Sequence, residues 1–245
     1  MKDSKNRRGF VIALVLSLMA NVILLSGIGV MESKTHFFQK IGNRLGLCEL
    51  SPRNRGDYWC IQGWTNTLKK MDYDADVVFI GSSQTYGGNF QDYFPNAITC
   101  SLGYSGDDMN GVMLRVGQIK AVQPEKVFVL TGINGLQRKS EKTFEAQYQR
   151  MVDSIIKVAP QAEIYLQSIL PVNHSMCRGR ASSEKIIKSN ETIAKIAARS
   201  SCIYVDLWSL YEKSGEMPKE LTRDGVHLLP EAYERWANEI KKYIE

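Results

Sequence analysis

From Asp76 to the carboxyl terminus, short continuous apolar runs alternate with longer stretches in which apolar residues recur every three or four positions. A short apolar run without alternation marks a strand buried on both faces, and the amphipathic stretches between such runs supply the helices that cover it. The strands expected on this basis are Val77–Ile80, Ala97–Ser101, Lys126–Thr131, Glu163–Gln167 and Ile203–Val205. Helices are expected over Met109–Ile119, Glu141–Val158, Ser183–Ala198 and Pro230–Tyr243. The last has its proline in the first turn, where a missing N–H is harmless. Alternating β and α units with right-handed crossovers give a doubly wound parallel sheet, so residues 76–245 are expected to form one α/β domain.

The amino terminus differs in kind. Lys2, Lys5, Arg7 and Arg8 precede an uncharged run from Phe10 to Met31, roughly 22 residues and therefore long enough as a helix to cross about 30 Å of hydrocarbon. Basic residues before the run and Glu32 after it orient the amino terminus inside and the body outside. A secretory signal is the alternative, but its apolar region is usually shorter and ends in a small-x-small site, and Ser26-Gly27-Ile28-Gly29 is a poor match. Residues 1–31 are thus read as a basic end and membrane anchor. Residues 32–75 are read as a connector with helical pieces, in which Tyr58-Trp59-Cys60, Trp64 and Leu68 fall at helical spacing and are expected to pack it onto the domain.

The first strand, Val77-Val78-Phe79-Ile80, stops at Gly81-Ser82-Ser83. Carboxyl ends of parallel strands are where such sheets hold ligands and reactive groups, so Ser83 is a candidate nucleophile. A serine hydroxyl needs a base to take its proton, and the base needs a partner that orients it. Of three histidines, His36 lies in the connector and His174 in the loop after the fourth strand. His227 alone has an aspartate three residues before it, in Asp224-Gly225-Val226-His227. Taken singly, Gly-Ser-Ser is an ordinary helix-capping loop and Asp-x-x-His an ordinary helix start; it is their combination that points to acyl chemistry.

These segments resemble the SGNH hydrolases, also called GDSL-like lipases or acylhydrolases. Gly81-Ser82-Ser83 matches the first block, Gly103-Tyr104-Ser105-Gly106 the second, Gly132-Ile133-Asn134 the third and Asp224-x-x-His227 the last, over roughly residues 75–245. The resemblance implies a flavodoxin-like three-layer α/β/α sandwich with five parallel strands, and a Ser83–His227–Asp224 triad. It also implies an oxyanion hole of the Ser83 N–H, the Gly103 N–H and the Asn134 amide. Two positions depart from the family pattern: Ser82 stands where an aspartate is usual, and Gly135 follows Asn134 in place of another. The implied activity is a serine esterase that removes short acyl groups, with acetyl on carbohydrate as the candidate substrate, and without metal or organic cofactor. Acyl transfer through the same triad and a noncatalytic binding domain are the alternatives. Arg178 and Arg180, in the loop after the fourth strand, are candidate substrate-binding residues for an acidic group.

Composition adds exclusions. The net charge of +5 includes the basic cluster at the amino terminus, and the body has no Lys/Arg tract interleaved with aromatics, which argues against nucleic-acid binding. The five cysteines have no C-x-x-C spacing, so structural zinc is not expected. Cys48 and Cys60 are close enough to pair if the body is exported, and Cys100 and Cys202 read as buried residues. The anchor is testable by fractionation: the full chain should resist carbonate extraction from membranes, whereas a chain starting at Glu32 should be released and remain active. Recovery of a mature amino terminus after residue 31 would establish a cleaved signal instead.

Overall fold

A computed structural model of the chain describes residues 58–71 and 74–245, together with Ser17, Met19, Asn21 and Ser26 of the preceding segment. Those four positions are helical and exposed; the rest of the 10–31 run, His36 and Cys48 lie outside the described residues. Among the described residues no helix is long and apolar enough to cross a membrane. The chain divides into two compact units, Met1–Cys60 and Ile61–Glu245, and the sheet belongs to the second.

Five strands, β1 (Val77–Gly81), β2 (Thr99–Gly103), β3 (Lys126–Leu130), β4 (Glu163–Gln167) and β5 (Ile203–Val205), form one parallel sheet in the order β2-β1-β3-β4-β5. This is the flavodoxin-like order, with the strand order reversing beside β1. The helices are α1 (Tyr58–Met71), α2 (Ser83–Tyr86), α3 (Phe90–Tyr93), α4 (Met109–Val122), α5 (Glu141–Val158), α6 (Ser183–Arg199), α7 (Trp208–Tyr211) and α8 (Pro230–Ile244). The expected second strand is displaced two residues towards the carboxyl end, to Thr99–Gly103. Its early residues, Ala97 and Ile98, form the approach: Ala97 N–H bonds the Phe94 carbonyl, and the Asp76 carboxylate accepts from Ile98 N–H at 2.6 Å.

Alternation along each buried strand sends successive side chains to opposite faces and so defines two cores. Val78, Ile80, Val127, Val129, Ile164 and Leu166 meet α4, α5 and α6 on one face. Val77, Phe79, Phe128, Leu130 and Tyr165 meet α3 and α8 on the other. The second core is aromatic: Phe79 stacks on Phe90 with ring centroids 3.8 Å apart, Phe128 stacks on Tyr165 at 4.4 Å, and Phe90 meets Trp236 edge-on at 5.0 Å. Asp108, Ser140 and Ser182 cap α4, α5 and α6 by accepting backbone N–H bonds, which fixes where each helix leaves its loop.

The connector departs from expectation in part. Residues 58–71 do form a helix, and Leu68 joins the first core, but Trp64 is 60% exposed and does not pack the segment down. Cys100 is buried, whereas Cys202, at the edge of the sheet, is only half-buried. Trp236 is the largest fully buried side chain among the described residues, and its indole N–H donates to Gln167 Oε1 at 2.6 Å. Trp236→Ala therefore loses core volume and strands a buried amide. Unfolding in urea should show a loss of about 3–5 kcal/mol, the usual range for a buried aromatic cut to alanine.

Candidate active site

Strands β2, β1 and β3 are adjacent and end in register, with Gly81 opposite both Gly103 and Leu130. The three loops that follow therefore emerge side by side at the carboxyl edge. Ser83 opens α2 directly after β1, Gly103 is the last residue of β2, and Asn134 sits four residues beyond β3.

A fourth loop, residues 222–229, completes the cluster from the approach to α8. The Asp224 Oδ1 accepts the backbone N–H groups of Val226 at 3.1 Å and His227 at 2.9 Å, folding the turn around the carboxylate. Its other oxygen, Oδ2, lies 2.6 Å from His227 Nδ1, and His227 Nε2 lies 3.0 Å from Ser83 Oγ. Since an ionised carboxylate only accepts, Nδ1 carries the proton towards Asp224, and Nε2 is left as acceptor for the Ser83 hydroxyl. Thr222 Oγ1 donates to the His227 carbonyl at 2.8 Å and accepts the Gly225 N–H at 3.0 Å, bracing the turn from below. His174 does not join this chain: its Nε2 lies 3.5 Å from Ser183 Oγ.

Gly103 has a steric reason to lack a side chain. A Cβ there would lie 2.1 Å from Tyr86 N and 2.5 Å from Tyr86 Cα, inside the backbone of the helix that carries Ser83. The absence of a side chain at the end of β2 lets α2 settle against the sheet. Asn134 has its amide orientation set from both ends. Arg180 donates to Oδ1 at 3.2 Å, and Nδ2 donates one of its two hydrogens to the Asp107 carbonyl at 2.8 Å. A guanidinium can only donate, so the oxygen of Asn134 must face Arg180 and the NH₂ must face the β2 side. Arg180 is half-buried; Arg178, two residues away, is exposed.

The two departures from the family pattern differ in their surroundings. Gly135 has φ of 74°, a left-handed conformation in which a residue with a Cβ is strained, so glycine suits the turn into the following 3₁₀ segment. Ser82 occupies the N-cap position of α2, but its hydroxyl makes no capping bond; it is fully buried and has no hydrogen-bond partner. The Ser82 backbone holds the turn instead, with its N–H on the Leu130 carbonyl at 3.3 Å and its carbonyl accepting from Tyr86 N–H at 2.9 Å.

Gln84, next to the candidate nucleophile, is a positioning residue that sequence reasoning passes over. Its buried side-chain amide donates to the Val226 carbonyl at 2.9 Å, tying α2 to the turn between Asp224 and His227, and its backbone carbonyl accepts from Tyr233 Oη at 2.8 Å. Nothing local in the sequence signals this, because the partners are more than 140 residues away. Among the described residues no cluster of His, Cys, Asp and Glu could hold a metal ion.

Serine, histidine and aspartate in hydrogen-bonded sequence at the carboxyl edge of a parallel sheet are the parts a hydrolase of the serine type requires. Residues 73–235 match the model of the GDSL-like Lipase/Acylhydrolase family, and the chain belongs to that family, whose members are hydrolases acting on ester bonds. No curated protein sequence matches the chain. Solved structures similar in fold include the following three. One, from Streptococcus pneumonia and described as a candidate platelet activating factor, is 23% identical with a TM-score of 0.67, covering 76% of this chain and 91% of that one. A GDSL-like lipase from Bacteroides thetaiotaomicron is 20% identical with a TM-score of 0.60, covering 75% and 96%. A variant of an acetyl xylan esterase from Geobacillus stearothermophilus is 17% identical with a TM-score of 0.55, covering 70% and 95%.

Burial alone would raise the Asp224 carboxyl, but the N–H bonds from His227 and Val226, together with the imidazole, outweigh it and hold the group down at about 2 against an ordinary 3.8. A folded-state value below the unfolded one means that the ionised carboxylate stabilises the fold above about pH 4, and that this contribution is lost as pH falls towards 2. Asp224 is partly exposed, so the effect is modest. In urea unfolding, the stability gap between wild type and Asp224→Asn should be full at pH 5 and should narrow steadily below pH 4. A gap that does not change with pH would mean that the carboxylate is not held as described.

Proposed function

We propose that the protein is a serine esterase that removes short acyl groups, with acetyl on carbohydrate as the favoured substrate, through an acyl-enzyme. The observation that carries this reading is the continuous chain Ser83 Oγ, His227 and Asp224, with contacts of 3.0 and 2.6 Å. Ser83 Oγ attacks the ester carbonyl while its proton passes to His227 Nε2, and Asp224 stabilises the imidazolium without taking the proton itself. The carbonyl oxygen becomes an oxyanion, for which the Ser83 N–H, the Gly103 N–H and the second N–H of the Asn134 amide are the donors. Ser83 begins α2, so its N–H is one of the groups a helix leaves without an internal partner. Collapse of the tetrahedral intermediate expels the alcohol, which takes the proton from His227. Water then repeats the cycle on the acyl-serine and releases the carboxylic acid.

Support for a polar substrate with an acidic group comes from the basic residues beyond Asn134. The Arg180 guanidinium is hydrogen-bonded to that amide, and Arg178 flanks it in the same exposed loop. Between the starts of α5 and α6 lies a groove of about 640 Å³, lined by Lys139, Lys142, Lys185 and Lys188 together with Glu141 and Glu184. The amino-terminal apolar run, with basic residues before it and Glu32 after it, supports a membrane anchor that holds the domain outside the cytoplasm.

On a short-chain ester, Ser83→Ala and His227→Ala should each lower kcat by about 10³-fold or more, and the double variant should be little worse, because groups that act as a unit are strongly non-additive. Ser83→Ala should also abolish labelling by a fluorophosphonate. Ser82→Ala is the matched control and should keep most of its activity, since that hydroxyl has no partner to lose. Wild-type turnover by Ser83→Ala would reject the mechanism.

A further inference from the structure

We propose that Arg115 is the positioning residue of the oxyanion hole, an assignment that rests on the esterase reading above. Arg115 lies on α4 and is 2% exposed, an unusual place for a guanidinium. Its Nε donates to Asp107 Oδ2 at 2.8 Å, and one terminal nitrogen lies 2.7 Å from the same oxygen. That terminal nitrogen also donates to the Gly81 carbonyl at 3.0 Å, and the other donates to the Leu102 carbonyl. The Tyr104 ring faces the guanidinium, with its centroid 5.7 Å from Cζ.

Each of these contacts leads to one oxyanion donor. Leu102 C=O and Gly103 N–H belong to a single planar trans peptide and point in opposite directions, so fixing the carbonyl on Arg115 aims the N–H. Donation to that carbonyl also polarises the peptide and strengthens its N–H as a donor. Gly81 C=O lies two residues before Ser83, at the turn that presents the Ser83 N–H. Asp107, held by Arg115 through its side chain, offers its backbone carbonyl to Asn134 Nδ2 at 2.8 Å. One rigid, planar fork thus sets the relative placement of all three donors, although none of its atoms belongs to the oxyanion hole itself.

Stability alone is a poor reason for this pair. Both side chains are almost fully buried, at 2% and 0% exposure, and the attraction between two such charges roughly repays the cost of taking them out of water. An apolar pair would fill the same space, but it could not grip two carbonyls at the ends of neighbouring strands.

The test uses the full chain, with Arg115→Lys and Asp107→Asn as variants. Arg115→Lys keeps the charge but loses the fork. Asp107→Asn keeps the backbone carbonyl that Asn134 uses, and it is the milder change for folding. Each should lower kcat on p-nitrophenyl acetate by about 10- to 100-fold, less than the 10²–10³ typical of removing an oxyanion donor outright, with KM nearly unchanged. Affinity for a trifluoromethyl ketone, which mimics the tetrahedral oxyanion, should fall by a similar factor. The pH dependence of kcat/KM should keep its midpoint, since the His227–Asp224 pair does not touch Arg115. Millimolar guanidinium should restore part of the kcat of Arg115→Ala.

Full kcat in both folded variants overturns the assignment, and so does a loss of kcat without weaker binding of the ketone. Failure of both variants to fold makes the pair a stability element and overturns it as well. A wild-type chain that does not turn over the ester sinks the esterase reading and this inference with it, whereas an active wild type with fully active variants sinks only the role of Arg115.

Discussion

The common register of β2, β1 and β3 is the constraint on which the rest of the site depends. Gly81 lies opposite Gly103 on one side and Leu130 on the other, so the three loops leave the sheet at one level and within reach of one small group. A parallel sheet does this naturally, because every strand points its carboxyl end the same way and the crossover helices, packed on the faces, return the chain to the other edge. The cost is close packing: α2 sits so near β2 that Gly103 has no room for even a methyl group.

The histidine reaches this edge from the far end of the chain, and several contacts bring it there. α8 buries Ala232, Tyr233, Trp236, Ala237 and Ile240 against the aromatic core, which fixes where the 222–229 loop begins its approach. Gln84 and Tyr233 then link α2 to that loop and that helix through two buried hydrogen bonds. Together these hold His227 Nε2 at hydrogen-bond distance from Ser83 Oγ.

Polar groups inside the domain divide into two kinds. Arg115 and Asp107 are buried and hydrogen-bonded: the guanidinium reaches Asp107, the Leu102 carbonyl and the Gly81 carbonyl, and the Asp107 carbonyl accepts from Asn134. Ser82 is buried with none. At that position the backbone, pinned to Leu130 and Tyr86, holds the turn without help from the side chain. Replacement of the family's usual aspartate there is therefore compatible with an intact turn into α2.

Strands and helices were legible in the sequence because each is a local pattern. The runs Val77–Ile80 and Lys126–Thr131 read as buried strands, the stripe Phe144, Tyr148, Met151, Val152 and Ile155 reads as a helix face, and Pro230 marks a helix start. Ser83, Gly103, Asn134, Asp224 and His227 were legible too, since each ends or follows an element in a short motif. The sequence by itself therefore determined the elements, their α/β class and the residue types at the edge. It did not determine the contacts between segments distant in the chain. Arg115 sits on the apolar stripe of α4 beside Met109, Val112 and Ile119, a visible anomaly, yet only the assembled sheet brings the carbonyls of Gly81 and Leu102 to its fork. Gln84 looks like a surface residue until Val226 arrives from 142 positions away. Such pairings arise from strand order and helix packing, which satisfy buried donors and acceptors across the whole domain at once, and no local pattern encodes them.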